Sequence, residues 1–184
     1  MNYKINDNDV VIFPTDTVYG IGCKMTDEKA IERIYDIKKR DTNKRLAVLI
    51  SSLDQIKDYI EITDTLLKIE SNFWPGALTV IVPLTKKLKY YEDTIGIRIP
   101  NSKLALDILK ENGAMATTSV NISGMPPLDT YQEIYDSYFN KVDKIYQKVE
   151  ESSSISSTVI ILKDNKIEVI REGKITKEEI EKIL

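Results

Sequence analysis

Short runs of apolar, mostly β-branched residues recur along the chain and alternate with amphipathic segments. Such runs are typical of buried strands, and several of them end at a proline or a glycine-containing turn. A closing pair of runs flanks Asp164 and Asn165, which favours a hairpin. The pattern predicts strands over residues 10–13, 46–50, 78–82, 95–99, 115–119, 159–162 and 167–170.

Between these strands, apolar residues recur at the spacing of three and four that indicates a helix with one buried face. In the first helix Ala30, Ile31 and Ile34 follow the N-capping pair Thr26 and Asp27. The predicted helices cover residues 26–39, 52–60, 63–73, 102–112 and 131–139, with a short last helix from residue 176. Because no repeat and no break in composition appears, we expect one α/β domain with a mixed sheet over residues 1–184.

The composition excludes several kinds of chemistry. The chain has 184 residues, of which 42% are hydrophobic and 30% charged, as in ordinary globular proteins. It contains no histidine, which excludes Ser-His and Cys-His catalytic pairs and an imidazole base. Cys23 is the single cysteine, so intramolecular disulfides and multi-cysteine metal sites are excluded as well. One free thiol fits a reducing cytoplasm.

The charge balance bears on partners. Lys and Arg number 26 against 29 Asp and Glu, a net charge of −3, which disfavours a surface basic overall but allows a local basic groove. The first residues are polar, so we expect no signal peptide, and the apolar runs are too short to span a bilayer. We therefore expect a cytoplasmic protein without a membrane partner.

Polar, glycine-containing segments follow two of the predicted strands, at residues 14–20 and 117–124. Loops at strand ends can converge on one crevice, where hydroxyls and backbone N–H groups suit a phosphate or a small zwitterion. The same residue types are also what ordinary turns use. The spacing alone leaves both interpretations open.

Cationic residues form a second candidate feature. Five of them end the first helix or follow it closely, where they could complement the helix dipole or bind phosphate. Arg98 lies inside a strand and needs an anionic partner if its side chain points inward, and Arg171 ends the last strand. Neither a Walker motif nor G-x-G-x-x-G is present. The five cations are Lys38, Lys39, Arg40, Lys44 and Arg45.

Seven motifs in a fixed order are more specific than any one of these features, and together they resemble the YrdC-like family of threonylcarbamoyl-AMP synthases. The resemblance runs from about Val10 to Gly173. It implies a single YrdC-like domain of the short form, with a twisted mixed parallel and antiparallel sheet flanked by helices. The motifs are Pro14-Thr-Asp-Thr-Val-Tyr-Gly20, Lys38-x-Arg40, Trp74-Pro-Gly-Ala-Leu-Thr79, Gly96-Ile-Arg-Ile-Pro100, Thr118-Ser-Val-Asn-Ile-Ser-Gly124, Ser157-Thr-Val159 and Arg171-Glu-Gly173.

The resemblance implies a nucleotidyltransferase that forms L-threonylcarbamoyl-AMP and pyrophosphate from L-threonine, bicarbonate or CO2, and ATP with Mg2+. This is the first step of tRNA N6-threonylcarbamoyladenosine formation. It suggests tRNA and the downstream threonylcarbamoyl-transferase proteins as further partners. The carbamate of threonine is already an anion, so its attack on the α-phosphate needs no side-chain base, in keeping with a chain that lacks histidine.

The resemblance also implies roles for individual residues and no protein ligand to a metal. Lys38 and Arg40 are expected to act in catalysis. The residues expected to contact threonine are Thr17, Tyr19, Arg98, Thr117 and Ser157. Those expected to contact ATP are Arg40, Lys44, Thr94, Ser119, Asn121 and Arg171.

The chain departs from the family pattern at several positions. Lys39 and Asp41 stand where relatives usually have glycine and proline, and Arg45 replaces a common proline. Residues 152–157 are serine-rich where glycines are frequent, and we expect a mobile loop there. Two alternatives stay open: a non-catalytic RNA-binding module, and the carbamoyl-adenylate-forming domain of hydrogenase maturation proteins. That domain normally sits in a longer chain with zinc fingers, and a chain with a single cysteine cannot form them.

Overall fold

A computed structural model describes residues 2–147, 153–164 and 166–183. In these residues nine strands form one sheet in the order β7-β1-β2-β6-β3-β5-β4-β8-β9, with both parallel and antiparallel neighbours. The strands are β1 (Val11–Phe13), β2 (Gly20–Lys24), β3 (Ala47–Leu49), β4 (Leu78–Pro83), β5 (Thr94–Arg98), β6 (Met115–Ser119), β7 (Lys144–Ile145), β8 (Thr158–Lys163) and β9 (Lys166–Arg171).

The helices begin at side-chain caps that the sequence supplies. Asp27 accepts a hydrogen bond from the backbone N–H of Ala30, and Thr176 forms a capping box with Glu179. No helix of the described ranges is long and apolar enough to cross a membrane. The helices are α1 (Glu28–Lys38), α2 (Asp64–Phe73), α3 (Lys103–Asn112), α4 (Tyr131–Tyr138) and α5 (Lys177–Glu181).

One face of the sheet is covered along its length by helices. Ile31 and Ile34 of α1 pack with Ile134 of α4 against the side that contains β1, β2 and β6. Leu66 and Ile69 of α2 pack against the side that contains β3, β5, β4 and β8. Successive residues of a strand point to opposite faces, so these strands place every second side chain in the two clusters.

The opposite face is covered only in part. Ile108 and Leu109 of α3 pack on Phe13, Leu49 and Met115 and form a third buried cluster. Beyond this cluster the face carries a cleft, and the helices on the other side supply most of the buried core. The part of this face that the described helices leave uncovered is therefore available to a ligand.

Most predicted elements are confirmed, including the closing hairpin of β8 and β9, although Asn165 lies outside the described residues. The helix predicted over 52–60 is wrong. A single 3-10 turn, Leu53–Gln55, is followed by turns, and Ile60 bridges to Leu84. Two strands, β2 and β7, were not predicted. The first is rich in glycine and the second is only two residues long, so neither shows an apolar run.

Candidate active site

A cleft of about 370 Å³ occupies the open face of the sheet. Its floor consists of alternate residues of four neighbouring strands, because only every second side chain points to this face. The pairing register aligns Leu49 with Arg98 and Ala47 with Thr117, so these residues form rows across the sheet. The floor residues are Ala47 and Leu49 of β3, Thr79 and Ile81 of β4, Thr94, Gly96 and Arg98 of β5, and Thr117 and Ser119 of β6.

Small residues keep this floor open. A Cβ atom at Gly20 or Gly22 would lie 2.7 Å from the side chain of Thr117, so the two glycines make room for that threonine. A Cβ at Gly96 would meet nothing closer than Cγ2 of Thr79 at 3.5 Å, an ordinary contact. A side chain at Gly96 would therefore fit the fold but would occupy space in the cleft.

The cleft is lined by cations. Among its described lining residues are Arg40, Arg45, Arg98 and Arg171, and none is an aspartate or glutamate. The protein as a whole carries a net charge of −3, so this positive cavity contrasts with the balance of the chain. Arginine side chains grouped around one cavity attract anions, above all those with several negative oxygens.

Arg98 is buried in the lining of the cleft and oriented by three hydrogen bonds. Its Nε donates to the carbonyl of Gly76 at 2.8 Å, Nη1 to Oγ1 of Thr17 at 2.9 Å, and Nη2 to Oδ1 of Asp16 at 2.5 Å. Burial lowers the pKa of Arg98, and Asp16 opposes that effect. The expectation of an anionic partner for this strand arginine is confirmed. A guanidinium has further N–H groups beyond these bonds, and they can serve a ligand carboxylate.

The loop before β2 is held by its own hydroxyl groups. Oγ1 of Thr15 donates to the carbonyl of Val18 at 2.7 Å and lies 3.0 Å from Oγ1 of Thr17. Oδ1 of Asp16 also accepts from the backbone N–H of Asn101 at 3.0 Å. These bonds fix the loop against the end of β5, so Thr17 presents an ordered hydroxyl beside Arg98.

The serine-rich segment lies against the same loop. The backbone N–H of Ser153 donates to the carbonyl of Asp16 at 3.0 Å, and that of Ser154 to the carbonyl of Thr17 at 2.9 Å. Further along, Oγ of Ser157 lies 2.8 Å from Oγ1 of Thr79. Ser156 and Ser157 line the cleft, whereas Ser152 lies outside the described residues. The described part of this segment therefore forms one wall of the cleft.

Arg40 also lines the cleft and is held by backbone oxygens. Its Nε donates to the carbonyl of Lys44 at 2.7 Å and its Nη2 to the carbonyl of Arg45 at 3.1 Å. Lys39, just before it, adopts a left-handed conformation with φ 48° and ψ 46°. Burial lowers the pKa of Arg40. The turn after α1 thus fixes one cation of the cleft.

Lys38 is buried beside the cleft rather than in it. Its Nζ donates to both the carbonyl and Oδ1 of Asn121, at 2.7 and 2.9 Å, and also to the carbonyl of Ser119. Burial, together with the positive charge of Arg40, lowers the pKa of Lys38 to about 8. In this arrangement the ammonium group fixes the loop that follows β6.

The structure brings most of the predicted contact residues together. Lys38, Lys44 and Asn121 are not among the lining residues, and their contacts with ligand stay predictions. Lining residues outside the predicted set include Arg45, Thr79 and Gly96. For Thr79 and Gly96 the available signal was their alternation with apolar residues of β4 and β5. The predicted residues that line the cleft are Thr17, Tyr19, Arg40, Thr94, Arg98, Thr117, Ser119, Ser157 and Arg171.

A family model supports the relation that the motifs suggest. The Sua5/YciO/YrdC model, whose description reads "Telomere recombination", matches residues 4–173. This match covers every strand and the whole lining of the cleft.

Relatives and a solved structure agree with this match. A Bacillus subtilis protein named threonylcarbamoyl-AMP synthase is 33% identical over 98% of the chain, which spans 54% of that relative's length. A Methanocaldococcus jannaschii protein named putative threonylcarbamoyl-AMP synthase is 36% identical over 94% of the chain and 83% of its own length. The crystal structure of Pyrococcus abyssi Sua5 complexed with L-threonine is 31% identical, with a TM-score of 0.89 over 96% of this chain and 54% of that one.

Proposed function

The chain belongs to the Sua5/YciO/YrdC family, and on this premise we propose that it forms L-threonylcarbamoyl-AMP and pyrophosphate from L-threonine, bicarbonate or CO2, and ATP. The observation that carries the proposal is a cleft whose described lining residues include four arginines and several hydroxyls but no carboxylate. Such a lining suits a polyphosphate together with an amino acid that bears a carboxylate and a hydroxyl. We further propose a cytoplasmic location and a product that serves tRNA modification.

The reaction needs positioning and charge neutralisation more than proton transfer. The amine of threonine adds to CO2 and loses a proton, which gives a carbamate. A carbamate oxygen then attacks the α-phosphorus of ATP, a new P–O bond forms, and the bond to the β-phosphate oxygen breaks to release pyrophosphate. Arg40 stabilises the charge on the phosphates, while Arg98 and Thr17 orient the threonine carboxylate and side chain.

Mg2+ enters this scheme as part of the MgATP substrate. The described residues contain no group of three His, Cys, Asp or Glu side chains that could hold a metal ion. Asp16, the acidic partner of the lining residue Arg98, already accepts from Arg98 and from Asn101. The donor set of the cleft therefore fits a metal that the triphosphate carries, and the protein supplies cations and hydroxyls around it.

The cleft favours a small ligand over the alternative of a non-catalytic RNA-binding module. Its arginines converge on one cavity of about 370 Å³, a volume in the range of small-molecule sites. RNA binding by phosphate contacts would favour an extended basic surface, and the net charge of −3 does not provide one overall.

The direct test is incubation with MgATP, bicarbonate and one amino acid at a time, followed by mass detection of adenylates and measurement of pyrophosphate. We expect pyrophosphate only when threonine and bicarbonate are both present. Threonine should be preferred over serine, since a missing methyl group costs about 1–3 kcal/mol in a fitted pocket. Valine should be poorest, because it has no hydroxyl that could form hydrogen bonds with the polar groups of the cleft.

Two results would contradict the proposal. One is hydrolysis of ATP to ADP as the dominant activity without any need for threonine. The other is equal turnover of threonine, serine and valine, which would mean that the hydroxyl groups of the cleft do not recognise the side chain.

A further inference from the structure

We propose that Arg45 binds phosphate by exchanging its partner. Glu92 holds Arg45 at the rim of the cleft and releases it when a nucleoside triphosphate binds. This inference rests on the proposed function only in taking the triphosphate as the ligand. It concerns a residue outside the predicted contact set. Its structural basis is the different way in which the two arginines of the 40–45 turn are held.

Arg40 is a fixed cation. Two of its N–H groups donate to backbone carbonyls, those of Lys44 and Arg45, at 2.7 and 3.1 Å. Both acceptors are main-chain atoms of the turn itself, so these bonds do not depend on the conformation of another side chain. We therefore expect Arg40 to keep its position with or without an anion in the cleft.

Arg45 is held by weaker and more exposed partners. Its Nη2 pairs with the carboxylate of Glu92, whose side chain is 81% exposed, and its Nη1 lies 3.4 Å from Oγ1 of Thr94. Exposed ion pairs contribute little because water and salt screen them. The guanidinium can therefore leave this carboxylate at small cost.

The position of the ion pair explains why a ligand in the cleft would replace Glu92 as the partner of Arg45. Arg45 lines the cleft beside Thr94, whereas Glu92 is not among the lining residues. A triphosphate in the cleft offers several charged oxygens and stronger charge-assisted hydrogen bonds than an exposed carboxylate does. Glu92 then competes with the ligand for Arg45, and removal of the two partners should have opposite effects on affinity.

The test is titration calorimetry with ATP, and separately with inorganic triphosphate, without threonine. Arg45→Gln should raise the Kd for both ligands about tenfold, since a charge-assisted bond is lost. Glu92→Gln should lower both Kd values by about two- to fivefold, the contribution of an exposed pair. In the double variant the Glu92 effect should vanish, because the cation for which it competes is gone.

A matched control is Arg33→Gln, since Arg33 forms a similar half-exposed pair with Asp143 away from the cleft. It removes the same charge and should leave both Kd values unchanged. Arg45→Lys serves as a second variant that keeps the charge, and it should retain part of the affinity. Melting temperatures of all variants separate loss of binding from loss of folding.

The outcomes discriminate clearly. Opposite shifts for the two single variants, with no added Glu92 effect in the double variant, support the exchange. Unchanged ATP affinity for Arg45→Gln in a protein that binds ATP overturns this inference and leaves the proposed function standing. Weaker binding by Glu92→Gln would overturn it too, because the carboxylate would then be assisting the ligand. Wild-type protein that binds neither ATP nor triphosphate overturns the inference and the proposed function together.

Discussion

Replacement of Asp16 by alanine tests whether its buried ion pair with Arg98 is needed to hold that arginine in the cleft. The side chains of Arg98 and Asp16 are 7% and 12% exposed, so solvent cannot replace a lost partner. The change removes the acceptor for Nη2 of Arg98 and also for the backbone N–H of Asn101. The guanidinium keeps only its neutral partners, the carbonyl of Gly76 and the hydroxyl of Thr17.

The expected cost is large for one substitution. Removal of one partner from a buried pair costs about 3–5 kcal/mol, a considerable share of the roughly 5–15 kcal/mol that stabilises a typical domain. Asp16→Asn should cost less, because its amide oxygen can still accept from Arg98 and Asn101 while the charge is lost. This variant keeps the prediction measurable even where the alanine variant does not fold.

Urea unfolding followed by the fluorescence of Trp74 measures these costs, and a double variant supplies the internal control. Asp16→Ala with Arg98→Met removes both charges, so it should be more stable than Asp16→Ala alone by about 2 kcal/mol or more. Asp16→Asn should also raise the KM for threonine and leave the KM for ATP unchanged. The reasoning is refuted if Asp16→Ala costs less than about 1 kcal/mol, or if the double variant is no more stable than the single one.

Three further predictions concern the cleft floor and the turn after α1. Gly96→Ala and then Gly96→Val should reduce turnover of ATP and threonine progressively, because the added side chain occupies the cleft. The melting temperature should be kept, since a Cβ at this position makes only ordinary contacts. Full activity of the valine variant would place the reaction elsewhere. Lys39→Gly should raise the free energy of unfolding by about 0.5–1 kcal/mol in thermal melts, because the left-handed φ of 48° suits glycine, whereas Lys39→Ala, which keeps the Cβ, should not. The pKa of Lys38 is about 8 in the fold and 10.5 ordinarily, so between these pH values the unfolded chain binds more protons than the folded one. The free energy of unfolding should therefore rise with pH from about 8 upward. In urea titrations between pH 7 and 9.5, Lys38→Met should lack this rise, and an equal rise in both proteins would assign it to other groups.

The sequence predicts the elements whose signals are local. β4 and β5 carry β-branched residues and end near prolines, and α1 has both its cap and its apolar stripe within one segment. The need of Arg98 for an anion was also predictable, because a charge inside a strand must be compensated. The identity of that partner was not, since Asp16 lies 82 residues away and the register of the sheet decides the contact.

β2 shows why the floor of the cleft escapes prediction. Its sequence, Gly20-Ile21-Gly22-Cys23-Lys24, has glycine at two positions of the face that carries the cleft, while Ile21 and Cys23 pack on the other face. Glycine is disfavoured in strands, so the local pattern indicates a loop. The glycines are required by Thr117 on the neighbouring strand, and that requirement exists only after β2 and β6 pair.

Lys38 and Asn121 show that a motif does not by itself predict where its side chains lie. The resemblance implies that both act on ligand, yet the structure places them beside the cleft and bonded to each other across 83 residues of sequence. Oδ1 of Asn121 also accepts from Oγ of Ser119 at 2.8 Å, and Ser119 lines the cleft. The ammonium group therefore helps to fix, through one amide, the hydroxyl of a residue that lines the cleft. Substitution of either residue would disturb that hydroxyl even without a direct contact, so loss of activity alone does not identify a catalytic group. A change in KM that Ser119→Ala reproduces would indicate positioning, whereas a larger loss in kcat for Lys38 would indicate direct contact with the phosphates.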